Sequence, residues 1–555
     1  MKKTWSAATP AAIAFVLSAP LAIGAHAAYA DELADLRANQ ELLQQRLDQL
    51  AQAAPAGPGA ALGVGSFPRS FLIPGTDTSL RIGGFGIGRI TWYLRGVQPS
   101  ADLFGQGNAL GDRTEGSGGT GNLPNIPLNQ HAPSAAAASH NKSEAFFISG
   151  KSSRIFIDTR TPTAWGQAQT YAEFDFNTSN TNVLLAGQFT VVPNNPARFR
   201  QGYATLGPWL LGTATGSFTD NDSDMEFIDD GGQSGGTGRA RIPQLRYTWA
   251  TPWPGVTVIA AAEQPESEFI SPNGSFVSSV TSAVTIASCG NGVASTGLTT
   301  AGTPINVACA PLAALFDAAQ AREPAGTLSV RFNQPWGHLR IGAVIKDAIL
   351  NDGRGVDRTW LGYGGAISGD VKPFPVWSPK DDIGFSVAIG EGLGGYMGST
   401  QAVATNWGGV ISAQNPTIAG GMTGGNNFNT VTAAGLAARA AYDAGVIGKT
   451  ITAFNAKIGY MHWWTDELRS NIDFNFMHQD IPGLIATAGA TPAGFFAISG
   501  KAGANKELVH SHVNLLWSPA SFVTTGIEYA WGHRVVVTNL KGDSHTIQGM
   551  LRVQF

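Results

Sequence analysis

The ten residues TIQGMLRVQF, 546–555, decide how the rest of the chain is read. Ile547, Gly549, Leu551, Val553 and Phe555 alternate with Thr546, Gln548, Met550, Arg552 and Gln554. Side chains of a strand point alternately to its two faces, so the segment has an apolar face running to Phe555 and a largely polar one. A water-soluble protein usually leaves such an end to fray. Two readings fit the stretch by itself: an edge strand on an aqueous core, or a strand whose apolar face meets lipid.

Composition favours lipid. The chain has 555 residues with 70 Gly, 28 Phe and 14 Trp, and 13% of them are charged; an average soluble domain carries about 25%. Beyond the N-terminus there is no run of about 18 apolar residues, which argues against a helical membrane protein. Barrel strands hide their apolarity in alternation, and the alternation recurs. In ELVHSHVNLLW, Val509, Val513, Leu515 and Trp517 oppose His510, His512 and Asn514. In VTTGIEYAW, Val523, Ile527, Tyr529 and Trp531 oppose Thr524, Gly526 and Glu528. The reading is an antiparallel, all-β transmembrane barrel over 76–555.

The N-terminal residues supply an address. Lys2 and Lys3 precede an apolar stretch and a small-x-small site, Ala28-Tyr29-Ala30, which predicts a bacterial secretory signal peptide over 1–30. Without Lys2 and Lys3, 33 basic residues face 39 acidic ones, an excess too small to name a partner. Leu33, Leu36, Leu43, Leu47 and Leu50 then mark a and d positions of about three heptads, with Gln40 as a polar a residue. Three heptads are marginal alone, so association between copies is expected to complete a periplasmic coiled coil over 31–54. The Ala, Pro and Gly-rich stretch that follows reads as a linker, to residue 75.

Connections are uneven. SPA (518–520) and NLKGD (539–543) are compact turn signals, whereas 97–144, 271–323 and 399–449 are long and rich in Gly, Ser, Thr, Ala and Asn. Short periplasmic turns and long external loops are the barrel pattern. Cys289 and Cys309 share one long connection, and an oxidising compartment predicts a local disulfide.

Several segments together resemble one family: SFLIPGTDTSLRIGGFGIGRITW (70–92), SRIFIDTRTPTAWGQAQTYAEFDF (153–176), ARFRQGYATLGPWLLGTATGSFTD (197–220), IPQLRYTWATPWPGVTVIAAAEQPES (242–267), IGYMHWWTDELRSNIDF (458–474) and HVNLLWSPASFVTTGIEYAWGHRVVV (512–537). They are similar to the DcaP-like outer-membrane porins, in order and over most of the chain after the linker. The resemblance implies a homotrimeric porin of about sixteen strands behind a coiled-coil helix, admitting small, often anionic solutes. It also implies that Phe555, with Leu551 and Val553 on its face, is read by the barrel-assembly machinery of the outer membrane.

Strand parity then picks lumenal residues. Arg154, Asp158 and Arg160 alternate with Ile155, Ile157 and Thr159; Arg198 and Arg200 alternate with Phe199, Gln201 and Tyr203; Arg246 shares parity with Gln244 and Thr248. Arg81 and Arg89 share a face, with GGFGIG leaving the orientation of that strand open. A charge on the lipid face costs about 2–4 kcal/mol near the midplane, so these side chains are expected to point inward, where guanidinium forks can take carboxylates. The bland alternative is that they pair with Glu173, Asp175 and Glu528 and stiffen the wall.

The acidic run TDNDSDMEFIDDGG, 219–232, is a candidate constriction loop, with Asp220, Asp222, Asp224 and Glu226 opposing the arginines, or else a solvated external loop. Its Asp spacing imitates a calcium loop, but Met225 and Gly231 stand where Gly and a carboxylate are required. GVIGKT has Asp443 at the first Gly of a phosphate loop, and GFGIGR has Arg89 at the last Gly of a dinucleotide motif. His510 and His512 have no evident third ligand or nucleophile and read as polar wall. Nothing calls for a cofactor, a metal or nucleic acid. The leading function is a passive channel rather than an enzyme; the alternatives are an outer-membrane hydrolase or an envelope tether.

Overall fold

The computed structural model describes residues 63–96, 126, 144–177, 197–229, 231–238, 241–264, 269–270, 276–277, 323–351, 357–397, 409–413, 446–480, 505–536, 539 and 541–555. The signal peptide, the coiled coil, Cys289 and Cys309 lie outside them. Among the described residues, 63–79 belong to a unit of their own, in which the Gly65 amide donates to Ser70 O at 3.0 Å. Besides a second, four-stranded sheet formed by Phe269–Ile270, Phe276–Val277, Gly409–Ala413 and Val446–Thr450, the remainder is dominated by one large sheet.

Sixteen strands make up its wall. They are β1 (Ser79–Arg95), β2 (Ala145–Ser149 and, after a break, Arg154–Thr163), β3 (Gly166–Asp175), β4 (Arg198–Leu206), β5 (Trp209–Thr215), β6 (Arg241–Ala250), β7 (Val256–Glu263) and β8 (Ala325–Gln334). There follow β9 (Gly337–Asn351), β10 (Asp357–Val371), β11 (Asp382–Glu391), β12 (Thr452–Trp463), β13 (Leu468–Asp480), β14 (Asn505–Ala520), β15 (Val523–Val536) and β16 (Lys541–Gln554). Each is antiparallel to its neighbour, and β16 pairs with β1 from Phe85↔Gln554 to Trp92↔Ile547, which closes the barrel. Closure leaves no unpaired edge, the condition for a sheet in lipid. Phe555 extends the seam: its amide donates to Gly84 O at 3.0 Å and its carbonyl accepts from Gly84 N at 3.2 Å.

The faces are inverted relative to a soluble protein. Outward positions carry exposed Ile90, Ile157, Leu211, Ile345, Ile458, Ile472, Leu515 and Ile527. Inward positions carry buried Arg89, Asp158, Gln244, Ser386, Asn455, Asn475, His512 and Gln548. Exposed Trp165, Trp209, Trp253, Trp336, Trp464 and Trp517 cluster at the end where strands are joined by short turns, as an interfacial girdle would. The short turns lie between β2 and β3, β4 and β5, β6 and β7, β8 and β9, β12 and β13, and β14 and β15.

Two turn signals fall beside the actual turns. SPA ends inside β14, and the chain reverses at Ser521-Phe522, because the backbone keeps pairing with β15 up to Ala520↔Val523 across a register shift. NLKGD straddles the β15–β16 connection, with β16 already begun at Lys541. GFGIGR lies wholly within β1, with no strand-to-helix turn to hold a phosphate. Leu551, Val553 and Phe555 are outward and exposed, as the alternation requires.

Candidate channel lining

The connection from β5 to β6, residues 216–238, turns into the barrel and lies against the inner side of β8 to β16. Phe218, Asp220, Ser223, Met225, Ile228, Asp229, Gln233 and Ser234 are all buried there. The wall makes room with glycine. A Cβ on Gly384 would stand 2.2 Å from Ser223 O, and one on Gly459 would stand 2.5 Å from Met225 Cγ. Gly236, with φ +79°, lets the segment bend back beside β11.

Polar bonds anchor the loop along its length. Arg340 donates to Thr219 O at 2.7 Å and also to Ser217 O. Asp220 accepts from Ser368 Oγ at 2.7 Å and lies 2.8 Å from His338 Nε2. Arg331 reaches Asp222 at 2.6 Å, and Lys457 holds Asp224. Arg469 grips Glu226 through Nε at 2.8 Å and Nη2 at 2.5 Å, and Arg552 adds a bond at 2.9 Å. Further along, Glu528 accepts the amides of Ile228 at 2.7 Å and Asp229 at 2.9 Å.

The acidic run therefore folds inward, but its carboxylates do not stand across the lumen facing the arginines. Asp220, Asp222, Asp224 and Glu226 turn toward cations of β8, β9, β12, β13 and β16. The physical reason is local neutralisation: a carboxylate gains more from a direct charge-assisted bond than from a distant field. Asp220 and Asp222 share Arg331, at 3.6 Å and 2.6 Å, while Asp224 is held by Lys457.

The arginines occupy the other half of the wall. Arg81 and Arg89 come from β1, Arg154 and Arg160 from β2, Arg198 and Arg200 from β4, and Arg241 and Arg246 from β6. Three carboxylates stand among them. Arg198 holds Asp175 at 2.6 Å; Arg200 holds Glu173 at 2.8 Å and also Asp175; Arg154 is 3.5 Å from Glu173; Arg160 holds Asp158 at 2.8 Å. Arg81, Arg89, Arg241 and Arg246 have no carboxylate at ion-pair distance among the described residues. Arg89 donates to Ser152 Oγ at 3.2 Å. Eight guanidinium groups against three carboxylates leave this face strongly positive.

One parity reading needs correction. Between β3 and β4 the register shifts: Phe174 pairs with Phe199 and Glu173 with Gln201, so Arg200 is an extra residue. A bulge of this kind puts two consecutive residues on one face. Gln201 and Tyr203 therefore join Arg198 and Arg200 inside, instead of facing lipid. Tyr203 stacks on Tyr171 at 5.3 Å, and Tyr171 stacks on Phe156 at 5.7 Å. Arg81 lies over Phe156 at 5.0 Å and Arg154 over Phe85 at 5.3 Å. An aromatic ladder thus runs across β1 to β4 among the arginines. Neither the ladder nor Arg241 follows from simple alternation, since the bulge resets the phase and Arg241 is the first residue of its strand.

Ser234 Oγ bonds His510 Nε2, a pairing that in an open cleft would suggest a nucleophile. Both residues are wholly buried between loop and wall, out of reach of a substrate.

No family model matches the chain, and no curated protein matches it. Its fold is similar to that of the outer-membrane channel DcaP of Acinetobacter baumannii, at 17% identity over 87% of this chain and 99% of that one, with a TM-score of 0.53. Weaker likenesses are to an anion-selective porin from Comamonas acidovorans (8% identity, 86% of this chain and 100% of that one, TM-score 0.42) and to OprB of Pseudomonas putida (9%, 86% and 94%, 0.41). The first establishes a shared barrel fold; the other two are too distant to add to it.

Proposed function

We propose that this chain is a passive porin of the bacterial outer membrane that admits small hydrophilic solutes and favours anions, carboxylates above all. The carrying observation is the excess of eight arginines over three carboxylates on β1 to β6, facing a loop whose Asp220, Asp222, Asp224 and Glu226 are each bonded by the wall. Selectivity follows the potential where the lumen is narrow and its walls have low dielectric, not the chain's net charge of −4. Arg198 and Arg200 form the scaffold, because Glu173 and Asp175 already occupy their forks. Contact with a passing carboxylate falls to Arg81, Arg241 and Arg246, which are half-buried and whose planar guanidinium groups suit a bidentate approach.

Around this barrel we place a cleaved signal peptide, a coiled coil that reinforces a trimer, a Cys289–Cys309 disulfide in a long connection, and an outward Leu551, Val553 and Phe555 stripe for the assembly machinery. Proteoliposome swelling tests the channel reading. A four-carbon dicarboxylate should enter faster than a neutral polyol or a diamine of the same size, and ester or phospholipid substrates should not turn over. Equal rates for the three solutes would count against the anion preference; no swelling with any would count against a pore.

A further inference from the structure

We propose that Asp473, His510 and His512 form a divalent-metal site, best suited to zinc, that fastens the inner loop to the wall. Asp473 lies on β13, and His510 and His512 lie on β14. One ring nitrogen of each histidine and a carboxylate oxygen of Asp473 lie within 4.8 Å of one another, and all three residues are buried. Two imidazoles and a carboxylate are a common donor set for zinc.

Three observations support ligation. His512 Nδ1 stands 3.1 Å from both oxygens of Asp473. Two ligands each about 2.0–2.2 Å from one ion stand about 3.0–3.5 Å apart, a separation this pair already has. The outer partners are also in place. Asp229 Oδ2 lies 3.3 Å from His512 Nε2, Ser234 Oγ bonds His510 Nε2, and Asn475 Nδ2 donates to Asp473 Oδ2 at 2.7 Å. Ligating histidines normally have such a second partner, which fixes the tautomer.

The third observation is charge. Asp473 and Glu528 are both buried beside the two imidazoles. Glu528 is bonded by two amides and Asn514, and Asp473 by Asn475 and His512, none of them a lysine or arginine. A divalent ion would offset the charge of these two carboxylates. Because Asp229 and Ser234 belong to the loop while the ligands belong to the wall, ligation would tie the two together.

The test uses the whole protein, purified in detergent without a polyhistidine tag, equilibrated with zinc and then desalted. Elemental analysis should find about one zinc per chain. His510→Gln and Asp473→Asn should each lower this at least about tenfold. The zinc K-edge spectrum of the unmutated protein should show scattering from two imidazoles, a readout that stands even if a variant fails to fold. Retention of no zinc, equal retention by folded variants, or a spectrum without imidazole scattering would each overturn the proposal.

Discussion

Replacing Arg246 by Gln should weaken anion preference by a calculable amount. The side chain enters the lumen from β6, opposite Leu210 of β5, with no carboxylate at ion-pair distance among the described residues. A full positive charge about 6 Å from a passing monovalent ion is worth about 0.7 kcal/mol in a water-like dielectric. Screening over a Debye length of about 10 Å in 0.1 M salt reduces that to about 0.4 kcal/mol. The charge helps chloride and hinders potassium equally, so its removal shifts selectivity by about 0.8 kcal/mol, a factor of about 4 in the permeability ratio. In 1 M salt the Debye length falls to about 3 Å and the factor to about 1.4. Gln keeps much of the stem and part of the hydrogen bonding, so folding should be unaffected. Reversal potentials across bilayers holding single channels, in matched gradients at low and high salt, measure both factors. An unchanged ratio at 0.1 M, or an effect as large at 1 M, would show that Arg246 is not acting through the lumenal field.

Arg200→Glu should destabilise the barrel rather than merely retune it. The new carboxylate would meet Glu173 and Asp175 where a buried arginine now binds both, and breaking such a pair costs about 3–5 kcal/mol; the temperature at which the compact band unfolds on gels should fall, and an unchanged temperature would refute the pairing. Glu226→Gln should increase anion preference and current flicker together, since Arg469 and Arg552 lose their counter-charge while the loop loses an anchor; steady single-channel currents would contradict the anchor. Asp381 lies in the turn before β11, where burial raises its carboxyl pKa but bonds from Ser378 at 2.6 Å, Tyr460 at 2.6 Å, His462 at 2.8 Å and the Trp463 amide at 3.0 Å outweigh it, lowering it from 3.8 to about 2. A lowered folded-state value contributes stability above about pH 4 that is lost as pH falls through about 2, so the stability gap between the parent and Asp381→Asn should be constant near neutrality and close between those values. A gap that persists at pH 2 would exclude the carboxylate as its source.

Much of the fold was legible because lipid imposes a simple rule on each strand. The alternation in Val513, Leu515 and Trp517 against His512 and Asn514 reads directly as outside against inside, and the structure preserves it residue for residue. The rule fails where backbone geometry departs from ideal pleating. The bulge at Arg200 sends Tyr203 inward, and no local composition in FRQGY signals it. The loop was legible as acidic and as following a strand, but not in its bonding, because Arg340, Lys457, Arg469 and Arg552 lie more than a hundred residues away in sequence. A separation of 39 residues from His512 likewise hid the third member of the His510 and His512 cluster: Asp473 lies on the neighbouring strand, and only the β13–β14 register brings it beside them.

The most direct test of the account is the zero-current potential of the unmutated channel across a tenfold potassium chloride gradient at low total salt. If the eight arginines and three carboxylates of β1 to β6 set the lumenal field, the potential should have the sign of a chloride-permeable pore despite the chain's net negative charge. A potential of the opposite sign, marking potassium as the more permeant ion, would contradict the assignment of that face as the selective surface.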